Sequence, residues 1–331
     1  SERLNTQNEE DSTMRVLVAG ATGVVGQQLV PQLIAAGHQV TATTRSAGTA
    51  SPLRTAGADV AVVDGLDAAA VGEAVARAEP EVVIHQMTAL GAGFDFRHMD
   101  RTFAKTNELR TAGLDHLLAA AQAAGTRRVI AQSYTGWDNV RTGGPVKTED
   151  DPLDPDTPAA MRPTLEAIEY LEHAVTTSPM EGVVLRYGNL YGPGASDVLV
   201  DMIKRRQVPL IGNGAGIWPW VHVQDAASAA VAALDRGDGI YNIVDDEPAP
   251  VSEWLPALAA VTGARKPFRV PAWLGRLAAG ETAVAMMTTV RGSSNAKAKR
   301  ELGWEPAWPT WREGFARGLH AVAGQGQASR S

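Results

Sequence analysis

From Met14 to Arg186, short runs of β-branched and aliphatic residues alternate with longer stretches in which Ala and Leu recur at helical spacing. The short runs at 15–19, 39–43, 59–63, 82–85, 128–132 and 182–186 read as buried strands. Between them, 26–36, 68–78, 103–124 and 163–176 carry the 3.6-residue period of amphipathic helices. Strand–helix alternation of this kind predicts a parallel, doubly wound α/β sheet. A seventh strand, 240–244, returns to the sheet edge after a detour through 187–222, which is rich in Gly, Pro and aromatics. From Ser252 onward come short helices and clustered tryptophans, and the stretch 141–158, dense in Pro, Gly and acids, reads as irregular loop.

One turn in this pattern carries chemistry. The run Val16-Leu17-Val18-Ala19-Gly20-Ala21-Thr22-Gly23-Val24-Val25-Gly26 leaves the first strand through three glycines and enters a helix. In a dinucleotide cradle the first glycine makes the tight turn, the second lets backbone approach a pyrophosphate, and the third lets helix sit close to strand. The helix start then aims free N–H groups and its positive dipole end at the phosphates.

Composition narrows the classes. The 331 residues are 44% hydrophobic, enough for one large or two joined domains, and a net charge of −7 argues against nucleic-acid or anionic-membrane surfaces. There is no cysteine, hence no disulfide framework, thiolate nucleophile or Cys-based metal site, which fits a cytoplasmic protein. No His/Asp/Glu spacing suggests a metal. Residues 1–13 are polar without an apolar core and read as a disordered leader or remnant outside the fold.

The spacing Gly20-x-x-Gly23-x-x-Gly26 resembles the short-chain dehydrogenase/reductase superfamily. Asp64-Gly65-Leu66, Asn107, the run from Leu185 to Gly194, Val221-His222-Val223-Gln224-Asp225 and Lys299-Arg300-Glu301-Leu302-Gly303-Trp304 resemble its extended branch, the NAD-dependent epimerase/dehydratase family. The resemblance spans about 14–320. It implies a Rossmann-type NAD(P)-binding domain (14–186 plus 223–248), a small C-terminal substrate-binding lobe (187–222 plus 249–320) and a flexible tail (321–331). It also implies a homodimer packed through the helices 103–124 and 163–176.

The cofactor side follows residue by residue. Gly20, Thr22, Gly23, Val24, Val25 and Gly26 form the phosphate cradle, Asp64, Gly65 and Leu66 border the adenine, and His85 opens the cofactor-side turn. The second strand ends Thr41-Ala42-Thr43-Thr44-Arg45-Ser46, with no carboxylate for a ribose 2′-hydroxyl. Thr44 and the planar fork of Arg45 suit a 2′-phosphate instead, so NADP(H) is preferred, with NAD(H) as the alternative.

The catalytic side departs from the family. Its Tyr-x-x-x-Lys pair should begin eight residues before Glu169, where this chain has Met161 and, four residues on, Leu165; neither can transfer a proton. Tyr170 is followed four residues later by Ala174 and lies on another helical face. Pro163 suits a first helical turn, and Leu165, Ile168 and Glu172 share one stripe. The fifth strand ends in Ser133 and Tyr134, which with Asn107 are the candidate catalytic residues, Tyr134 as replacement proton donor. Substrate contacts are expected from His98, Trp137, Tyr187, Asn189, Trp218 and Trp220, a content that favours a ring-bearing or apolar ligand over a sugar nucleotide. Trp254, Trp273, Trp304, Trp308 and Trp311 read as lobe packing, and Asp225 as lying near a helix N-cap.

The leading reading is an NADP(H)-dependent oxidoreductase acting on a small organic carbonyl or alcohol with a non-standard proton donor. The alternatives are a cofactor-binding isomerase, cyclase or lyase without net hydride transfer, or a non-catalytic NADP(H)-sensing protein.

Overall fold

A computed structural model describes residues 13–90 and 98–319. Seven strands form one parallel sheet: β1 (Arg15–Ala19), β2 (Gln39–Thr44), β3 (Asp59–Val62), β4 (Val82–His85), β5 (Arg128–Tyr134), β6 (Glu181–Tyr187) and β7 (Gly239–Ile243). Their spatial order is β7-β6-β5-β4-β1-β2-β3, which reverses direction at β1. Crossover helices cover both faces, so the central strands are buried on both sides and read as continuous apolar runs; β4 and residues 129–131 of β5 are wholly buried.

The helices of this frame are α1 (Gly26–Ala35), α2 (Ala50–Thr55), α3 (Ala68–Ala78), α4 (Met99–Arg110), α5 (Ala112–Ala123) and α6 (Arg162–Thr176). Asp67 starts α3 by accepting from the Ala70 amide at 3.1 Å. The periodicity predicts one helix over 103–124, but the chain makes two, broken at Thr111 (φ −105, ψ −91). Threonine promotes the break because its hydroxyl donates back to the Asn107 carbonyl at 2.9 Å, in competition with the amide ladder. Pro163 lies in the first turn of α6, where its missing N–H is harmless.

A second cluster of buried apolar residues joins the detour and the C-terminal third to Met99, Phe103, Trp137, Met161, Leu165 and Ile168. It involves α7 (Asp197–Lys204), α9 (Val251–Val261) and α10 (Ala272–Thr288), while α8 (Val223–Ala232) packs back on α1. Trp218, Trp220 and Trp254 pack with ring centroids 4.6–5.5 Å apart, and Trp311 and Phe315 extend the group. Trp254 and Trp311 are buried in this cluster as expected; Trp304 is buried instead against the Rossmann-side core, its indole donating to Ser228 Oγ at 2.9 Å, and Trp273 is 64% exposed on α10. His222 caps α8, its Nδ1 accepting from the Gln224 amide, and Asp225 lies in the first turn near that N-cap, as expected. The Asp225 carboxylate accepts the amides of Ala307 and Trp308 at 2.8 and 2.9 Å, tying the C-terminal segment to the Rossmann unit. Residues 141–158 are anchored by a short pairing of Val146–Lys147 with Gly292–Ser293.

Candidate active site

Ligands of open α/β sheets bind outside the carboxyl ends of the strands where strand order reverses, here above β1 and β4. Gly20 turns off β1 at φ +91, and a Cβ there would lie 2.5 Å from the Gln86 carbonyl oxygen. A Cβ on Gly26 would meet the Gly20 and Ala21 carbonyls at 2.6 Å, so helix α1 can approach β1 only with glycine. Gly23 has only the Gly20 oxygen, at 3.4 Å, near a would-be Cβ, leaving that side open for close approach. Thr22, Val24 and Val25 complete the turn, and Gln27 Nε2 closes it from below by donating to the Thr22 carbonyl at 2.9 Å. These residues fit a dinucleotide pyrophosphate.

At the end of β2 the hydroxyls are largely spoken for. Thr44 Oγ1 pairs with Thr49 Oγ1 at 2.6 Å and Ser46 Oγ accepts from the Gly48 amide. Arg45 is exposed and has no ion-pair partner among the described residues. After β3, Asp64 accepts the Leu66 amide at 3.1 Å, and Gly65 is buried against Met87.

Several expected residues are placed differently. His85 is buried, its Nε2 3.1 Å from the Leu109 carbonyl, and burial lowers its pKa to about 4. It is therefore a neutral ring packed on α4, a tie between strand and helix rather than a cofactor ligand. Asn107 donates to Thr164 Oγ1 at 3.1 Å and so holds α4 against α6. Ser133 is 2% exposed and donates to Glu172 Oε1 at 2.8 Å, which commits it to the interior and not to substrate. Trp218 donates its indole N–H to the Met286 carbonyl at 2.8 Å, and Trp220 is buried in the lobe, so neither offers a surface to ligand. Tyr187 is buried too, its hydroxyl accepting from Gln86 Nε2 at 3.1 Å. His98 is exposed at the start of α4.

Tyr134 and Asn189 are half-buried, and Trp137, 8% exposed, packs beside the Tyr134 ring. The Tyr134 hydroxyl donates to Asn189 Oδ1 at 3.1 Å, and its ring stacks on Trp137 at 5.9 Å. Burial and the nearby Asp138 carboxylate push the phenol well above its ordinary pKa, so it stays neutral and is a poor acid. Met161 and Leu165, at the start of α6, are 1% and 7% exposed in the lobe-side apolar cluster. None of the five tyrosines has a lysine four residues on.

Beneath Tyr134 lies a buried polar layer that sequence reasoning did not single out. Arg186 of β6 forks onto Glu172 of α6 with two bonds of 2.7 and 2.6 Å, and Glu172 also receives the Ser133 hydroxyl. Asp138 is fully buried, with Oδ1 accepting from the Gly136 amide at 2.7 Å, and burial raises its pKa to about 7. Arg110 of α4 is 5% exposed, and burial lowers its pKa to about 10. Gln86, 3% exposed, bridges β4 to β6. The signal for part of this was present: a glutamate on an otherwise apolar helical stripe requires a buried cation.

The family model for the NAD dependent epimerase/dehydratase family matches residues 16–244. The chain belongs to that family. It is 44% identical over 311 residues to a 3-diazoavenalumate denitrifying reductase of a Streptomyces species, covering 92% of this chain and 100% of that protein. A 2-alkyl-3-oxoalkanoate reductase of Stenotrophomonas maltophilia is 29% identical over 76% of each chain. The crystal structure of the Thermus thermophilus UDP-glucose 4-epimerase in complex with NAD superposes with a TM-score of 0.71 at 26% identity, covering 92% of this chain and 98% of that one. As a family member with named reductase and epimerase relatives, the chain is an NAD(P)-dependent oxidoreductase or epimerase-type enzyme. Among the described residues no helix is long and apolar enough to cross a membrane.

Proposed function

We propose that this enzyme is an NADPH-dependent reductase that exchanges the nitrogen of a diazo-bearing organic carboxylate for hydride. What supports the reading is that Met161 and Leu165, at the positions where the resemblance places the family's proton-transfer pair, are apolar and buried. Carbonyl reduction needs a proton at oxygen as hydride arrives at carbon, and a positioned acid is worth about 10²–10⁴-fold. Loss of a diazonium nitrogen is different. The C–N electron pair leaves with N₂, hydride supplies the pair of the new C–H bond, and no proton is consumed. A site without a proton donor suits this exchange, and the name of the Streptomyces relative joins the same elements: a diazo group, denitrification and reduction.

The residues that would hold the cofactor are the Gly20–Gly26 turn for the pyrophosphate and Arg45 for the 2′-phosphate. Bound there, the nicotinamide supplies the hydride. The chain's own contribution is orientation: Tyr134 offers an aromatic face, backed by the stacked Trp137 ring, and Asn189 fixes the phenol.

The test is stopped-flow absorbance of NADPH mixed with enzyme and a stable arenediazonium carboxylate, with headspace mass spectrometry for N₂. One N₂ released per NADPH oxidised, with the diazo carbon recovered as C–H, supports the reading. NADPH-dependent turnover of ketones but not of the diazonium compound overturns it.

A further inference from the structure

Most charges in the polar layer are accounted for. Glu172 and Arg186 satisfy one another, and Glu149, which also faces Arg186, accepts the Asn242 amide at 2.7 Å. Two groups are not. The Arg110 side chain has neither a hydrogen bond nor an ion pair among the described residues, and its Nη1 is sealed from solvent. Asp138 Oδ2 is likewise buried without a partner. A buried guanidinium without a counter-charge in contact is strongly disfavoured, and an anion brought near it is correspondingly favoured. Asp138 holds the turn beneath Tyr134 through the Gly136 amide, and a Cβ on Gly136 would lie 2.8 Å from the Tyr134 hydroxyl; the charges of Arg110 and Asp138 bear on that phenol with opposite signs. Tyr134, half-buried at the end of β5, is the member of the layer that a ligand can reach.

Resting on the reading of a carboxylate-bearing substrate, we propose that Arg110 and Asp138 are positioning residues. Acting through the Tyr134 hydroxyl, they select a ligand that presents an anionic oxygen, a carboxylate or a ring oxyanion, at the end of β5. Tyr134 turns its proton from Asn189 Oδ1 to that oxygen, and Arg110 behind it stabilises the added negative charge. Asp138 opposes this when ionised and permits it when protonated. The other charges facing Asp138 are Arg186 from β6 and Glu172 from α6; they are locked onto one another, so Asp138 is the member free to change. Because burial raises the Asp138 pKa to about 7, preference for an anionic ligand falls as pH rises through neutrality.

The experiment is calorimetric titration of the NADP⁺-saturated enzyme with cinnamate and with cinnamamide, the uncharged isostere, at pH 6 and pH 8.5. At pH 6 cinnamate is expected to bind about tenfold or more tightly than the amide, the equivalent of ~1.4 kcal/mol. Arg110→Met abolishes the preference and Arg110→Lys restores much of it. At pH 8.5 the preference shrinks in the wild type and persists in Asp138→Asn. Equal binding of the two probes, no cinnamate binding, or the same pH dependence in Asp138→Asn as in the wild type would overturn the proposal. If Arg110→Met does not fold, the Asp138→Asn comparison carries the test alone. Probe binding involves no hydride chemistry, so this proposal and the reductase reading fail separately: binding selectivity without N₂ release sinks only the latter.

Discussion

The two halves of the cleft are built on opposite principles. On the β1–β4 side the proposed cradle would meet its ligand through backbone, and the constraint falls on residues that have no side chain: a Cβ at Gly20 or Gly26 collides with carbonyl oxygens at 2.5–2.6 Å. On the β5–β6 side the constraint falls on buried charge: Arg110, Asp138, Glu172 and Arg186 are each at most 5% exposed. Backbone recognition leaves a fixed sequence spacing and tolerates little change. A side-chain layer can be rebuilt residue by residue. This difference allows one fold to keep its cofactor while its chemistry changes.

The largest expected effect is on the backbone side. Gly26→Val forces α1 away from β1 and should weaken NADPH binding about 100-fold or more, ~3 kcal/mol, by fluorescence titration. Retained tight binding would mean that the cradle lies elsewhere. On the charged side, Glu172→Gln strips Arg186 of its bidentate partner and leaves a buried cation, at a cost of about 3–5 kcal/mol in urea denaturation. A loss below ~1 kcal/mol would place that pair in effectively wet surroundings. Arg45→Ala should weaken NADPH about tenfold and leave NADH unchanged, since only the phosphate contact is removed. Equal weakening of both cofactors would assign Arg45 a structural task. The smallest effect is the most diagnostic. Tyr134→Phe should raise KM several-fold and keep kcat within about threefold, whereas removal of a true proton donor costs about 10²–10⁴ in kcat.

Legibility in the sequence divides along the same line. All seven sheet strands and the glycine turn are visible as apolar runs and spacing, because parallel strands buried on both faces leave uninterrupted hydrophobic segments. The break at Thr111 was not visible, since apolar periodicity continues through it and only a hydroxyl-to-carbonyl bond marks the bend. Ser133 and His85 stand at strand ends, where function is expected, yet both turn inward to partners on helices that no local pattern specifies. Trp218 and Trp220 carry aromatic content that suggests a ligand surface, but both rings are packed in the lobe's own interior, and Trp218 spends its indole N–H on the Met286 carbonyl. Arg110, Asp138 and Arg186 are brought together from α4, the loop after β5, and β6, a juxtaposition only the topology creates.

The claim that unites these observations is that hydride enters a carbon losing N₂, with no proton drawn from the protein. Single-turnover reaction of the enzyme with 4-deuterated NADPH and an arenediazonium carboxylate in ordinary water, followed by mass spectrometry of the product, tests it most directly. The account predicts one deuterium at the former diazo carbon and N₂ in equal amount. Hydrogen from solvent at that carbon, or deuterium delivered instead to a carbonyl carbon with the diazo group intact, would contradict it.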